Sequence, residues 1–279
     1  MDLTEFLTHD SGTLAYDVTG EGPLIVLSHG MGDTREAYRF LAPLLVEAGY
    51  RVAAADLRGH GESSTGWASY TRTDTAGDLV ALVEHLGGGP AVIVGHSFSG
   101  GSATIAAAHP AVAAVVEIGP FTRVPKIAFG ALFTNAHYRT GLVRLLRTGI
   151  TGNVDTWLSY LDHAYPGAKP ADWAERQAAL ATTLREDGRM KAVQKMGQSA
   201  PKDAEAALPA LGVPALIIMG TLDPDWADPR AEAEGIVAAM PSGLGSVVMI
   251  EGAGHYPHAQ FPREVAAAVL SFLKETVSA

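Results

Sequence analysis

The sequence contains no cysteine. Disulfide frameworks, thiol nucleophiles and cysteine-ligated metals are thereby excluded. No uninterrupted apolar run approaches the ~18 residues of a membrane span; the richest stretch is broken by His109-Pro110 and Glu117. Cations are the minority charge, with 20 Lys and Arg against 30 Asp and Glu and a formal net charge of −10. That balance disfavours a nucleic acid as partner, because a phosphate backbone is recognised by positive charge. The N-terminal Met1-Asp2-Leu3-Thr4-Glu5 lacks the basic stretch and apolar core of a secretory signal. A cytoplasmic protein with neither a membrane nor a nucleic-acid partner is therefore expected. Paired histidines or carboxylates at ligand spacing on one element are also missing, so neither a metal nor another cofactor is expected.

What is present is the composition of a folded chain. Of 279 residues, 47% are hydrophobic and 18% charged, enough to bury a large core. Glu5–Thr8 and Thr13–Val18 flank the turn-forming Asp10-Ser11-Gly12 and predict a hairpin. Short apolar runs follow at Leu24–Leu27, Arg51–Ala55, Val92–Val94 and Val112–Ile118. Between them Arg35–Ala48 and Thr73–Leu86 have helical spacing, the second stopped by Gly87-Gly88-Gly89-Pro90. Runs this short and this apolar are strands covered on both faces, and their alternation with helices implies a mostly parallel central sheet flanked by helices.

The alternation stops at Phe121. Up to about Ala206 the chain reads as helical, over Val124–Leu146, Asp155–Ala164, Asp172–Leu184 and Gly188–Met196, with breaks at Gly149, Gly152, Pro166-Gly167 and Pro170. Strand signals return at Val213–Met219 and Ser246–Ile250, and a last amphipathic helix covers Pro262–Thr276. The expected organisation is one α/β core contributed by residues 1–120 and 207–279, interrupted by a helical insertion at 121–206.

One motif carries chemistry. Gly95-His96-Ser97-Phe98-Ser99-Gly100-Gly101 follows a buried strand and opens a helix of small residues. A serine on such a turn has its hydroxyl exposed beside the N–H groups of a helix N-terminus. A serine hydroxyl needs a base, and imidazole, with an unperturbed pKa of ~6.5, suits that role. His255 is the candidate, in the loop Gly252-Ala253-Gly254-His255-Tyr256-Pro257 just past a predicted strand. An imidazole base needs a carboxylate to set its tautomer. Asp223 follows another strand, in Gly220-Thr221-Leu222-Asp223-Pro224-Asp225, with Asp225 and Asp228 as alternatives. Parallel strands place all three loops at one sheet edge, where open α/β sheets form sites. The loop Ser28-His29-Gly30-Met31-Gly32 leaves the same edge. Backbone N–H groups of Met31 and Phe98 are the candidate oxyanion donors.

These residues, together with Asp56-Leu57-Arg58-Gly59-His60-Gly61-Glu62-Ser63, resemble the α/β-hydrolase superfamily, in its serine-nucleophile branch with a helical cap. The order Ser97, Asp223, His255 is that family's order. The resemblance covers the core, while the insertion matches the family's variable cap in position only. It departs from the usual Gly-x-Ser-x-Gly elbow at Ser99. A serine nucleophile rather than an aspartate argues against the epoxide-hydrolase and haloalkane-dehalogenase branches. The implied function is hydrolysis of a small or medium carboxylic ester or lactone through an acyl-enzyme on Ser97. Carbon–carbon bond hydrolysis or a lyase reaction with the same triad, and a weakly catalytic small-molecule receptor, are the alternatives. Apolar insertion residues Phe121, Ile127, Phe129, Leu132, Phe133 and Trp157 are candidate substrate contacts. Glu117 reads as a structural carboxylate, with the triad acid as its alternative role; His96 and His29 read as packing and loop-ordering groups, and His258 as a rival to His255.

Overall fold

In the computed structural model, which describes residues 4–87 and 89–276, eight strands form one sheet in the order β1-β2-β4-β3-β5-β6-β7-β8. Met1–Leu3 and Gly88 of the predicted helix stop lie outside the described residues. β1 (Glu5–His9) and β2 (Gly12–Thr19) make the expected hairpin, and β2 runs antiparallel to β4 (Arg51–Ala55). The remaining neighbours are parallel: β3 (Leu24–Ser28), β5 (Ala91–His96), β6 (Val112–Ile118), β7 (Ala215–Gly220) and β8 (Gly245–Ile250). Strands β3, β5 and β7 are buried at every position, which is why they read as unbroken apolar runs rather than alternating ones.

Helices cover both faces. Beneath one lie α2 (Arg72–His85), α3 (Phe98–Ala106) and α10 (Pro229–Ala238), packed on Val26, Ile93, Val115 and Ile217. Beneath the other lie α1 (Ala42–Glu47) and α12 (Pro262–Thr276), packed on Ile25, Leu27, Val94 and Val116. Alternate residues of one strand thus feed two different cores, as the period of two dictates. The predicted helix over Arg35–Ala48 is split in two: a single 3₁₀ turn at Arg35–Tyr38, then α1 with Pro43 in its first turn. A continuous helix would drive the Pro43 ring into the carbonyl four residues earlier.

Between β6 and β7 stand α4 (Ala131–Thr134), α5 (Ala136–Thr151), α6 (Val154–Ala164), α7 (Trp173–Leu184), α8 (Arg189–Gln198) and α9 (Lys202–Ala207). The first predicted helix here starts seven residues late, because Val124–Gly130 is not helical. Asn135 then caps α5 by accepting from the Tyr138 N–H. Gly149 does not break α5, which ends at Gly152 in the left-handed conformation. Trp157, Tyr160, Leu161, Leu180, Leu184 and Val193 form a separate apolar cluster within these helices. A short helix, α11 (Pro257–Gln260), precedes α12. Among the described residues no helix is long and apolar enough to cross a membrane.

Glu117, on β6, is fully buried and accepts hydrogen bonds from the hydroxyls of Thr104 and Thr122. It joins α3 to the sheet and hydrogen-bonds to no imidazole among the described residues. Burial raises its pKa to about 7, the two hydroxyls only partly opposing the shift. A carboxyl whose pKa is higher folded than unfolded favours folding below its unfolded value, and that contribution is lost as pH rises through the folded value. Stability is therefore expected to fall by about 3 kcal/mol between pH 4.5 and 7 on account of this residue. Glu117→Gln, whose amide can donate to the Thr122 oxygen, removes that slope. Urea unfolding at pH 5 and pH 8 measures it, and an equal pH difference in variant and wild type refutes it.

Candidate active site

Ser97 follows β5 as the N-cap of α3, with φ 54° and ψ −113°. A non-glycine residue there is strained by roughly 1–3 kcal/mol and persists only if its surroundings over-determine it. They do: the Ser97 N–H donates to the Ile118 carbonyl (2.8 Å), while its own carbonyl accepts from the N–H groups of Gly100 and Phe121 (both 3.1 Å). The turn is tight enough that a Cβ on Gly95 would collide with the Ser99 carbonyl, and one on Gly30 would stand 2.9 Å from the Ser97 Cβ. Held in this way, Ser97 is nearly buried, with 7% of the residue exposed.

The irregular elbow position has a defined task. Ser99 Oγ donates to the His29 carbonyl (2.5 Å) and accepts from Ser28 Oγ (3.0 Å). It ties the first turn of α3 to the loop after β3. His29 accepts from the Leu57 N–H at Nε2 (3.0 Å), so Nδ1 carries the proton and donates to the Gly30 carbonyl (2.7 Å). His60 acts in the same way, accepting the Gly32 N–H at Nε2 (2.9 Å) and donating to the Arg58 carbonyl (3.0 Å). Burial lowers both imidazoles, His29 to about 4 and His60 to about 3, so both are neutral and able to accept. With Gly32 so engaged, the N–H groups of Met31 and Phe98 find no acceptor among the described residues. Phe98 is the first residue of α3, where no intrahelical acceptor exists.

The Asp56–Ser63 turn is built from ion pairs and main-chain bonds. Asp56 accepts from the Arg35 guanidinium and from the N–H groups of Arg35 and Glu62; Arg58 grips Asp78 through two bonds of 2.7 Å. These groups set the turn that presents His60 to Gly32. His9, Asp10 and Asp78 could together offer three ligand atoms to a cation, but the Arg58 guanidinium already lies against both carboxylates.

Past β8, His255 meets the acid loop. Its Nδ1 lies 2.8 Å from Asp223 Oδ2 and 3.3 Å from Asp225 Oδ2. Asp228 stands apart as the N-cap of α10, accepting from the Ala231 N–H. The histidine loop is held at both main-chain groups: the His255 N–H donates to the Ala164 carbonyl and its carbonyl accepts from His96 Nε2, each at 2.9 Å. His258 is buried against the rings of Tyr38 and His96, and neither of its nitrogens has a hydrogen-bond partner among the described residues. Burial disfavours the His255 imidazolium, but the charges of Asp223 and then Asp225 outweigh it and lift the pKa to about 9.

The apolar candidates separate. Phe121 lies edge-on to the His255 ring at 6.0 Å. Trp157 is buried and donates its indole N–H to the Gly32 carbonyl (2.8 Å). Phe129 and Phe133, 72% and 87% exposed, stand on the outer surface, as does Ile127. They belong to the irregular segment and the short α4, which have no apolar layer above them. His137 and His163 pack ring to ring at 4.2 Å, and His137 Nε2 donates to the Leu222 carbonyl.

A strained serine, a carboxylate-paired histidine and two N–H groups, those of Met31 and Phe98, without an acceptor among the described residues thus lie at one end of a parallel sheet. The sequence matches the alpha/beta hydrolase family model over residues 25–268. The chain belongs to the alpha/beta hydrolase family. As a member it is an enzyme of the hydrolase class. Epoxide hydrolase A of Mycobacterium tuberculosis is 27% identical across 90% of both chains. A non-heme haloperoxidase of Rhodococcus erythropolis is 39% identical over 41% of this chain and 43% of its own. The enol-lactonase of Burkholderia xenovorans shares the fold, with a TM-score of 0.76 at 21% identity, covering 97% of this chain and all of that one.

Two side chains of α6 reach these loops: Trp157, expected from the sequence as a substrate contact, bonds to the loop after β3, and Tyr160, which the sequence did not single out, bonds to the loop after β7. Tyr160 OH donates to Asp225 Oδ2 at 2.6 Å. Their partners are 125 and 65 residues away, and an apolar helical face looks the same whether it meets a core or a site.

Proposed function

We propose that this hydrolase cleaves a small or medium carboxylic ester or lactone through an acyl-enzyme on Ser97. The observation that supports it most is the placement of a strained serine, with two unbonded N–H groups nearby, at the edge where a carboxylate fixes an imidazole. Asp223 accepts the Nδ1 proton of His255, which leaves Nε2 as the basic nitrogen. Ser97 Oγ attacks the carbonyl carbon and its proton passes to Nε2. The oxyanion is held by the N–H groups of Met31 and Phe98; losing one such donor typically costs ~10²–10³ in turnover. The tetrahedral intermediate collapses as Nε2 returns the proton to the leaving alkoxide. Water then attacks the acyl-enzyme as Nε2 takes its proton; the second tetrahedral intermediate expels Ser97 Oγ, which takes that proton back from Nε2, and the carboxylic acid departs.

Residues 121–206 serve as the cap. The bonds of α6 to Gly32, Asp225 and His255, and a nucleophile only 7% exposed, favour a compact acyl group over a polymer. The relative named for epoxide opening shares the scaffold, but in the epoxide-hydrolase branch the nucleophile is an aspartate, and position 97 here carries a hydroxyl. The reading is tested by labelling with a fluorophosphonate probe, followed by a panel of p-nitrophenyl esters of rising chain length and of lactones. Label on Ser97 and turnover that declines beyond medium chains are expected. An unlabelled Ser97 without turnover of any ester or lactone overturns the proposal.

A further inference from the structure

Helix α6 turns Trp157, Tyr160 and Ala164 to one face, at the three- and four-residue spacing that stacks side chains on a helix. Each bonds to a different loop of the site. Trp157 donates to Gly32, next to the Met31 N–H; Tyr160 donates to Asp225; the Ala164 carbonyl receives the His255 N–H. Asp225 is the unusual member. Its side chain is 1% exposed, Oδ2 is shared between Tyr160 OH (2.6 Å) and His255 Nδ1 (3.3 Å), and Oδ1 has no hydrogen-bond partner among the described residues. Its N–H donates to Asp223 Oδ1 at 3.0 Å, so the two carboxylates are locked in one turn on the same side of the imidazole. A buried carboxylate with one neutral donor is costly unless a positive charge faces it. The cation in reach is His255 when protonated.

We propose that Asp225 is a second carboxylate on the His255 imidazole and that Tyr160 of α6 holds it there, so that the seating of α6 sets the charge of the catalytic base. Both are positioning residues, and the inference rests on the serine-hydrolase reading above. The groups facing His255 are few. The loop after β7 supplies Asp223 and Asp225, α6 supplies Tyr160 beside Asp225, the elbow supplies His96, and its own loop supplies Tyr256 and His258. His96 and His258 are neutral, because burial pulls their proton affinity far down. Burial likewise keeps Tyr160 and Tyr256 protonated. Only the two aspartates favour the imidazolium. A second carboxylate stabilises the imidazolium formed in the transition state and equally the one in the resting enzyme. The acid limb of the activity profile consequently lies above that of an ordinary imidazole.

The test uses the full chain in wild-type, Asp225→Asn and Tyr160→Phe forms with two readouts. One is the His255 imidazole titration followed by ¹⁵N NMR; the other is the pH dependence of Ser97 labelling by a fluorophosphonate. Asp225→Asn is expected to weaken proton binding at His255 by about tenfold or more, moving both midpoints to lower pH. Tyr160→Phe moves them the same way by less, since Asp225 without its donor is more readily protonated. Should Asp225→Asn not fold, Tyr160→Phe, which removes a single oxygen, decides alone. Unchanged midpoints in a folded variant overturn the inference and leave the hydrolase reading intact. A midpoint that moves by NMR while wild-type Ser97 resists labelling upholds the charge relation and sinks the hydrolase reading.

Discussion

Ser97→Ala is expected to lower ester turnover by about 10⁴-fold or more and to leave the fold as it is. The hydroxyl makes no hydrogen bond to another described residue, so its removal leaves no buried partner unsatisfied. The unusual backbone geometry is held by the bond that the Ser97 N–H donates to the Ile118 carbonyl and by those its carbonyl accepts from the Gly100 and Phe121 N–H groups, all of them main-chain and all retained in the variant. Alanine pays a similar penalty to serine at a positive φ, so the melting temperature should stay within a few degrees of wild type. The residual rate reports what the Met31 and Phe98 N–H groups and binding alone provide. Initial rates on p-nitrophenyl acetate, with thermal unfolding alongside, make the measurement. Turnover near the wild-type rate would remove Ser97 from the mechanism.

Much of this arrangement was legible because parallel strands translate sequence order into spatial order. Three apolar runs each end in a loop with one reactive side chain, and a parallel sheet sends all three loops to one edge. Register then sets their spacing: Gly95 pairs with Ser28 on one side and Glu117 on the other. What local sequence did not convey is pairing across the chain. Ser99 looked like a flaw in the elbow; its partners are Ser28 and the His29 carbonyl on the neighbouring strand. Asp225 looked like an alternative to Asp223, whereas both carboxylates approach the same nitrogen. In the insertion, helical spacing runs through Val124–Gly130, where the backbone is not helical. Pro125 and Gly130 stand in the segment before α4, and Asn135 is better satisfied capping α5 than inside a longer helix. Apolar character alone also placed Phe129 and Phe133 among the substrate contacts, although both face outward.

Gly95→Ala should do more damage than its one methyl suggests. Gly95 is the penultimate residue of β5, buried and paired on both sides. Conformational freedom is not the issue, since its φ is not in the left-handed region. Space is: the added Cβ would meet the Ser99 carbonyl and the Gly100 nitrogen, both main-chain atoms of the first turn of α3. A flexible side chain could swing aside, but this turn is anchored. Gly100 packs on Pro120, and Ser99 is bonded to the loop after β3. The strand or the helix must therefore move, which carries Ser97 and the Phe98 N–H out of alignment. Overpacking of this kind costs roughly 3 kcal/mol, and a shift of ~1 Å at the nucleophile costs a further ~10²-fold in rate. Gly77→Ala supplies the contrast. That glycine lies inside α2 with nothing within 4 Å of the new methyl, so the substitution should stabilise the protein by about 0.5–1 kcal/mol. Chemical denaturation and Ser97 labelling of both variants read the two effects together. A Gly95→Ala protein that unfolds with the wild type and labels at its rate would mean that the elbow tolerates bulk here, and the account of its tightness would fall.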